Sequence, residues 1–232
     1  MNPTELRTRT ANIDWWHSGI ELGDGIVTQG MSHPGVNLLP HLQLPVDLTG
    51  ISILDICAWD GFMAFECEKR NAARVVAVDS FAWDKERSAK ATGWHKTGRD
   101  GFDLAHEARQ SKVEPVACDV LDLDAAQLGT FDIVLFLGVL YHMRHPLLAL
   151  ERVAPLVAPE GVLILESHTD MTTHATPLMR FYPGDEVNND VTNWWGPNAA
   201  CIEAMLRDVG FAHVKAWAGA GGRVVMHAWR GE

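Results

Sequence analysis

The chain has 232 residues, enough for one large α/β domain with its own core, and 47% apolar against 21% charged residues is an ordinary globular balance. A net charge of −11 argues against a nucleic-acid partner, because proteins that grip phosphate backbones usually show a basic patch. No apolar run approaches the roughly 18 residues that span a bilayer, and Met1–Glu5 is not followed by the apolar stretch of a signal peptide. Cys57, Cys67, Cys118 and Cys201 are scattered without metal-ligand spacing, and His17, His33 and His174 form no metal pattern. The expectation is a cytoplasmic protein with reduced thiols, no membrane segment and no metal; its oligomeric state is open.

Residues 1–50 show no clear repeating pattern. They hold Trp15-Trp16-His17 and the turn signals Gly23-Asp24-Gly25 and Ser32-His33-Pro34-Gly35. Two readings stand for this segment: a cap or lid whose aromatics wall a ligand cleft, or a strap packed on the sheet with its tryptophans as core. Two adjacent tryptophans on a strand cannot both face inward, so one of each pair, Trp15-Trp16 and Trp194-Trp195, is expected in the core. The stretch from Gly50 to Asp79 organises the rest of the chain. Ile51 to Ile56 reads as a buried parallel strand, Gly61 permits a sharp turn, 62–70 reads as a helix, and Val75–Val78 is a second strand that stops on Asp79. Strand, turn, helix and acid-ended strand make the nucleotide-binding half of a doubly wound sheet, and Asp79 is placed to reach a ribose diol. The glycines of a dinucleotide loop are missing: the corresponding positions are Asp55, Cys57, Trp59 and Gly61. Bulky Trp59 disfavours a pyrophosphate, and with it a nicotinamide enzyme. A ligand with a ribose but no phosphate fits better, and S-adenosylmethionine is such a ligand.

Residues 84–110 are polar and helical in parts, broken by Gly93, Gly98 and Gly101, with one short helix over 102–108. A third strand starts at Val113 and ends in Asp119. Phe131–Gly138 is the strongest strand, apolar throughout as a central parallel strand is. Pro146 opens a helix whose buried face is read as Leu147, Leu148, Leu150, Val153, Leu156 and Val157. Pro159-Glu160-Gly161 is read as a turn and 162–166 as the next strand. Residues 167–197 are long for a plain connection, and loops at the carboxyl ends of parallel strands bind substrates. Ala199–Val209 is a helix closed by Gly210, and 211–217 and 223–229 are two strands around a Gly-rich turn.

The apolar strand, the degenerate acidic-x-Gly-x-Gly-x-Gly pattern at 55–61 and Asp79 resemble class I S-adenosylmethionine-dependent methyltransferases. The resemblance implies a doubly wound, Rossmann-like α/β fold with a seven-stranded, mostly parallel sheet and a C-terminal antiparallel hairpin. Residues 1–50 are then a cap or lid, and 51–232 are the cofactor-binding domain as one structural unit. It implies cofactor contacts at Asp55, Cys57, Gly61, Asp79, Ser80 and Leu137, with Asp119 accepting the adenine amino group and the Val120 N–H meeting a ring nitrogen. Leu137-Gly138-Val139-Leu140-Tyr141-His142 with Arg144-His145-Pro146-Leu147, Asn193–Asn198 before the helix, and Gly222-Arg223-Val224-Val225 are similar to a narrower group, the tRNA wobble-uridine methyl- and carboxymethyltransferases. In that group the Tyr and Arg at the positions of Tyr141 and Arg223 bind a carboxylated cofactor. This chain departs from it in having no Lys between Met1 and Gly50, which removes partners for a cofactor carboxylate and for RNA.

The reading is therefore methyl transfer from S-adenosylmethionine to a small-molecule acceptor, a hydroxyl of a secondary metabolite. A tRNA wobble-uridine enzyme is the second reading, and a non-catalytic module that kept the fold, motivated by Cys57 and Trp59, is the third. Methyl transfer is an in-line displacement in which alignment and exclusion of water supply most of the acceleration. A hydroxyl acceptor also benefits from a base. His142 is the first candidate and His168, with Asp170 near it, the second. His142 has the alternative of capping the helix at Pro146, and Tyr141 that of core packing. Acceptor contacts are expected from Trp16, His17, Tyr182, Asn193, Trp194 and Arg223.

Overall fold

The computed structural model describes residues 1–30, 38–93, 98–170, 172–218 and 221–231; the turn signal at Ser32–Gly35, with His33, lies outside them. Two compact units divide the chain, Met1–Cys118 and Asp119–Glu232. Its seven-stranded mixed sheet is mostly parallel with a C-terminal antiparallel pair, the Rossmann-like class expected.

In the first unit, β1 (Glu21–Gly23) and β2 (Ile26–Val27) form a small antiparallel hairpin. The strands β3 (Ser52–Ile56), β4 (Arg74–Asp79) and β5 (Glu114–Ala117) lie parallel in the order β3-β4-β5. Ile53, Leu54, Ile56 and Val75–Val78 are buried, as strands covered on both faces require. The helix Phe62–Lys69 buries Ala64, Phe65 and Cys67. The helix Lys85–Thr92 starts on Asp84, which accepts from the Arg87 N–H, and stops at left-handed Gly93. Gly101 does not break a helix. It lies in the first turn of Asp100–Arg109, where a Cβ would come within 3.3 Å of the Trp16 ring, so its lack of a side chain makes room for a core tryptophan. The amino-terminal segment, read as patternless, begins with a helix, Pro3–Ala11. Asn2 caps it by accepting from the Glu5 N–H, and Pro3 takes the first helical position.

In the second unit, β6 (Phe131–Leu137) and β7 (Val157–His168) are parallel, β8 (Met179–Phe181) pairs antiparallel with β9 (Trp195–Pro197), and β10 (Phe211–Ala218) and β11 (Arg223–Arg230) are the terminal antiparallel pair. β11 also pairs antiparallel with β7. The expected turn at Pro159–Gly161 is a register shift inside β7 instead: Phe131 pairs with Val157 and Ile133 with Val162. The expected third strand is also shorter than read. β5 stops at Ala117, and Asp119 caps the 3-10 turn Val120–Asp122 by accepting from the Leu121 N–H. The helix Pro146–Val153 buries Pro146, Ala149, Leu150 and Val153, while Leu147 and Leu148 are each 38% exposed. The buried set follows i, i+3, i+4, i+7, which leaves 147 and 148 on the outer face. None of the four cysteines is disulfide-bonded, and among the described residues no helix is long and apolar enough to cross a membrane.

Candidate active site

After β3 the chain turns through Cys57 to Gly61. Three alternate residues adopt left-handed backbone: Cys57 at φ 63°, Trp59 at 53° and Gly61 at 87°. These are the positions of the three glycines in the methyltransferase-like pattern. The loop keeps the glycine conformation while two of its members carry side chains. Each non-glycine costs about 1–2 kcal/mol there. Hydrogen bonds hold the turn against that cost. Cys57 and Ala58 N–H donate to the Val78 carbonyl at 2.7 and 3.0 Å, and Gly61 N–H donates to the Ala58 carbonyl at 2.8 Å. The Trp59 N–H donates to Asp79 Oδ2 at 3.0 Å. The Trp59 ring stacks on His17 with centroids 4.6 Å apart and meets Trp15 at 5.2 Å, while its carbonyl accepts from Trp83 Nε1 at 2.6 Å.

Three buried carboxylates surround this elbow in the sequence: Asp55, Asp60 and Asp79. Asp79, expected to face a ribose diol, ends β4 and gathers loop N–H groups, from Ala82 on Oδ1 at 2.8 Å and Trp59 on Oδ2; burial raises its pKa. Asp60 Oδ2 accepts from the Ser18 N–H at 2.8 Å, which ties the amino-terminal segment to the elbow. Asp55 Oδ2 and Asp60 Oδ1 are buried without a hydrogen-bond partner. Burial pushes both acids up to about 7 from the ordinary 3.8. Between these values the folded chain binds more protons than the unfolded one, so this contribution to stability is full below about pH 4 and declines as pH rises towards 7. Thermal melts from about pH 5 to 8 should show that decline, and Asp60→Asn should flatten it. Orphaned acceptor oxygens among buried acids suit a ligand that brings hydroxyls and positive charge and repel one that brings phosphate. S-adenosylmethionine, with its sulfonium, ammonium and ribose, fits that test.

In the second unit, left-handed Gly138 takes the chain out of β6 into the 3-10 turn Leu140–His142. Glu166 on β7, its side chain 2% exposed, is gripped bidentately by Arg223 of β11 through Nε and through Nη2, the latter at 2.8 Å. Arg223 Nη2 also donates to Tyr141 Oη at 3.2 Å, and the guanidinium lies 5.2 Å from the Tyr141 ring centroid. Burial works against the Arg223 charge, but the bonds to Glu166 and Tyr141 hold its pKa above the usual arginine value. Burial raises the Tyr141 phenol. His142 packs on Tyr141 with centroids 4.2 Å apart, and its Nδ1 lies 3.0 Å from the Thr192 carbonyl. That contact places the proton on Nδ1 and the lone pair on Nε2. Burial pushes His142 down, towards the neutral form. It does not cap the helix at Pro146, whose cap residue is His145.

Residues 36–216 match the family model of a methyltransferase domain. The chain belongs to the methyltransferase-domain family. The match makes 36–216 a methyltransferase domain. It is similar to the tRNA U34 carboxymethyltransferases of Klebsiella pneumoniae subsp. pneumoniae, 29% identical over 181 residues (77% of this chain, 47% of the relative), and of Idiomarina loihiensis, 32% identical over 178 residues (75% and 49%). The chain spans about half the length of these curated relatives. Among solved structures it resembles the N-terminal domain of EvdMO1 crystallised in the presence of SAH and D-fucose, with TM-score 0.68 and 20% identity over 100% of this chain and 98% of that one. It also resembles the Burkholderia thailandensis 1,6-didemethyltoxoflavin-N1-methyltransferase with bound 1,6-didemethyltoxoflavin and S-adenosylhomocysteine, with TM-score 0.55 and 18% identity over 85% and 76%. Both likenesses are of fold.

The methyltransferase distributes the remaining expected residues unevenly. Trp16 is core, 4% exposed, with its indole N–H towards the Thr10 carbonyl; Trp15 and His17 are the members that meet Trp59. Tyr182, expected at the acceptor, is buried with its hydroxyl committed to Asp170 at 2.7 Å and to His168 Nε2 at 3.2 Å. Asn193 is buried and ties the loop to the Val187 carbonyl at 2.7 Å. The Trp194 ring lies 3.8 Å beneath the Arg144 guanidinium. Ser80 Oγ accepts from Arg87 at 3.2 Å, Val120 is buried, and Leu137 closes β6. Among the described residues no group of three or more His, Cys, Asp or Glu is arranged to hold a metal. Glu166 and Thr192 escaped the sequence reading. Glu166 had a signal, as the carboxylate that closes the apolar run Val162–Leu165.

Proposed function

We propose that this methyltransferase transfers a methyl group from S-adenosylmethionine to a hydroxyl of a small neutral acceptor. The observation that carries the acceptor class is the Glu166–Arg223 pair. A carboxylated cofactor or an RNA phosphate needs an unsatisfied cation, and Arg223 already has a buried internal carboxylate. The missing amino-terminal lysines and the charge of −11 point the same way.

When bound, S-adenosylmethionine supplies an electrophilic methyl on a sulfonium. The elbow at Cys57–Gly61 with Asp55 and Asp79 is proposed to hold it, and residues 1–50 act as a cap through His17 and Trp15 on Trp59 and through Ser18 on Asp60. One of two imidazoles, His142 or His168, is proposed to receive the acceptor's proton. Burial keeps both imidazoles neutral and able to do so near pH 7. The tRNA relatives supply the second reading. Incubation with S-adenosylmethionine and a neutral polyol panel, D-fucose first, is expected to give a methylated product by mass spectrometry. Tight tRNA binding that weakens steeply with salt, with no methylated polyol, would transfer the assignment to the wobble-uridine class.

A further inference from the structure

His168 is the last residue of β7, and its Nε2 lies 3.2 Å from Tyr182 Oη. Tyr182 Oη donates to Asp170 Oδ2 at 2.7 Å, and Arg180 Nη1 reaches the same oxygen at 3.4 Å. The β8–β9 hairpin builds this row. Asp170 N–H donates to the Pro197 carbonyl at 3.1 Å, and a Cβ on Gly196 of β9 would fall 2.3 Å from Tyr182 Oη and 2.8 Å from Asp170 Cβ. Only glycine at 196 lets the phenol and the acid approach each other in this arrangement.

The hydrogen count along the row settles the imidazole's tautomer. A phenol has one proton, and Tyr182 gives it to Asp170. Its oxygen can then only accept from His168, which puts the imidazole proton on Nε2. The lone pair sits on Nδ1, which has no hydrogen-bond partner among the described residues. A base whose second nitrogen is held by an oriented third group is the recurring form of an activated proton acceptor.

We propose that His168 Nδ1 is the base that takes the acceptor's proton, and that Tyr182 and Asp170 are positioning residues that fix its tautomer and oppose the charge it gains; this rests on the methyl-transfer reading above. As the acceptor oxygen bonds to the methyl carbon, the C–S bonding pair stays with sulfur and the hydroxyl proton passes to Nδ1. The Nε2 proton stays on the imidazole, donated to Tyr182 Oη, and the phenol proton stays on Tyr182, donated to Asp170, so no further donor or acceptor is required. The ionisable and charged groups around His168 are Asp170 and Tyr182 at the hairpin, Glu166 on its own strand, Arg223 on β11 and Tyr141, whose ring centroid is 6.1 Å away. Burial and Arg223 keep His168 neutral, while Asp170 and Glu166 favour the imidazolium. His142 has one such acid, Asp190, and packs on Tyr141, so it is the alternative base that the test below must exclude.

The test compares wild type, His168→Asn, Tyr182→Phe and His142→Asn. Three readouts are used: S-adenosylhomocysteine formation with D-fucose as the hydroxyl probe over about pH 5–9, calorimetric binding of S-adenosylhomocysteine, and nitrogen-15 NMR of the imidazoles. His168→Asn is expected to lower kcat about 100-fold with KM and S-adenosylhomocysteine binding unchanged. Tyr182→Phe keeps the ring volume; it is expected to lower kcat about 10-fold and to move the acidic limb of the pH profile to lower pH, because the imidazolium loses its acceptor. A merely structural hydroxyl would leave that limb in place. The proposal is overturned if the Tyr182→Phe limb superimposes on wild type, or if His142→Asn removes the limb while His168→Asn retains it. If D-fucose is not turned over, the NMR decides: a proton on Nε2 of His168 that Tyr182→Phe redistributes supports the relay, and a proton on Nδ1 overturns it. Absence of S-adenosylhomocysteine binding would sink the methyl-transfer reading by itself, and the imidazole spectra would still report on the relay.

Discussion

Arg223→Met is expected to cost about 3–5 kcal/mol of folding stability, because it strands a buried carboxylate. Glu166 has 2% of its side chain exposed and takes two donors from this one guanidinium, and the same Nη2 also supplies Tyr141 Oη. Replacing both partners, Arg223→Met with Glu166→Leu, should recover most of the loss, since an apolar pair of similar volume has no charge to strand. Urea titrations of the two single variants and the double variant measure the coupling directly. A loss under about 1 kcal/mol for Arg223→Met would mark the pair as solvent-screened, and Arg223 would then be free to take an anionic ligand. The stability measurement thus bears on the acceptor class as much as on the fold.

Gly61→Ala is the second large effect. At φ 87° any Cβ is strained, and this one would fall 2.6 Å from a Phe65 ring atom and 2.8 Å from a Phe102 ring atom. Both rings are buried and stack on each other at 5.4 Å, so neither can swing away cheaply. About 1 kcal/mol or more from the backbone and about 1–3 from overpacking give an expected loss of roughly 2–4 kcal/mol by thermal or urea melts. Cys57→Gly goes the other way: it relieves a left-handed residue at 63° and loosens the unfolded chain, so it should stay within about 1 kcal/mol of wild type. A Cys57→Gly variant that fell as far as Gly61→Ala would show that the thiol's contacts, and not the turn, hold the elbow.

The strands and the helix after Gly61 were legible because their signals are local. Apolar runs ended on Asp79 and before Gly138, and a proline opened the helix at Pro146. The amino-terminal helix was not, because it buries only Leu6 and so has no apolar stripe; Asn2-Pro3-x-x was its one mark. The missing glycines at 57 and 59 were visible, but the chain's retention of their backbone was not, since Cys and Trp rarely adopt that conformation and the compensating bonds come from Val78 and Asp79. The internal partners of Tyr182 and Arg223, both expected at the acceptor, were not legible for a related reason. Those partners, Asp170, His168 and Glu166, are fixed by strand register and hairpin placement rather than by neighbours in sequence. Trp16 is buried and Trp15 half-buried, as expected of that pair, and Gly101 leaves room for the Trp16 ring; Trp194 and Trp195 are both half-buried, so that pair does not divide.

Calorimetric titration of S-adenosylmethionine into the wild-type chain tests most directly whether an elbow with one glycine, backed by buried acids, seats this cofactor. One-site saturable binding, with a matching rise in melting temperature and at least about tenfold weaker binding in Gly61→Ala, is the predicted result. No heat of binding together with an unshifted melt at high cofactor concentration would contradict it.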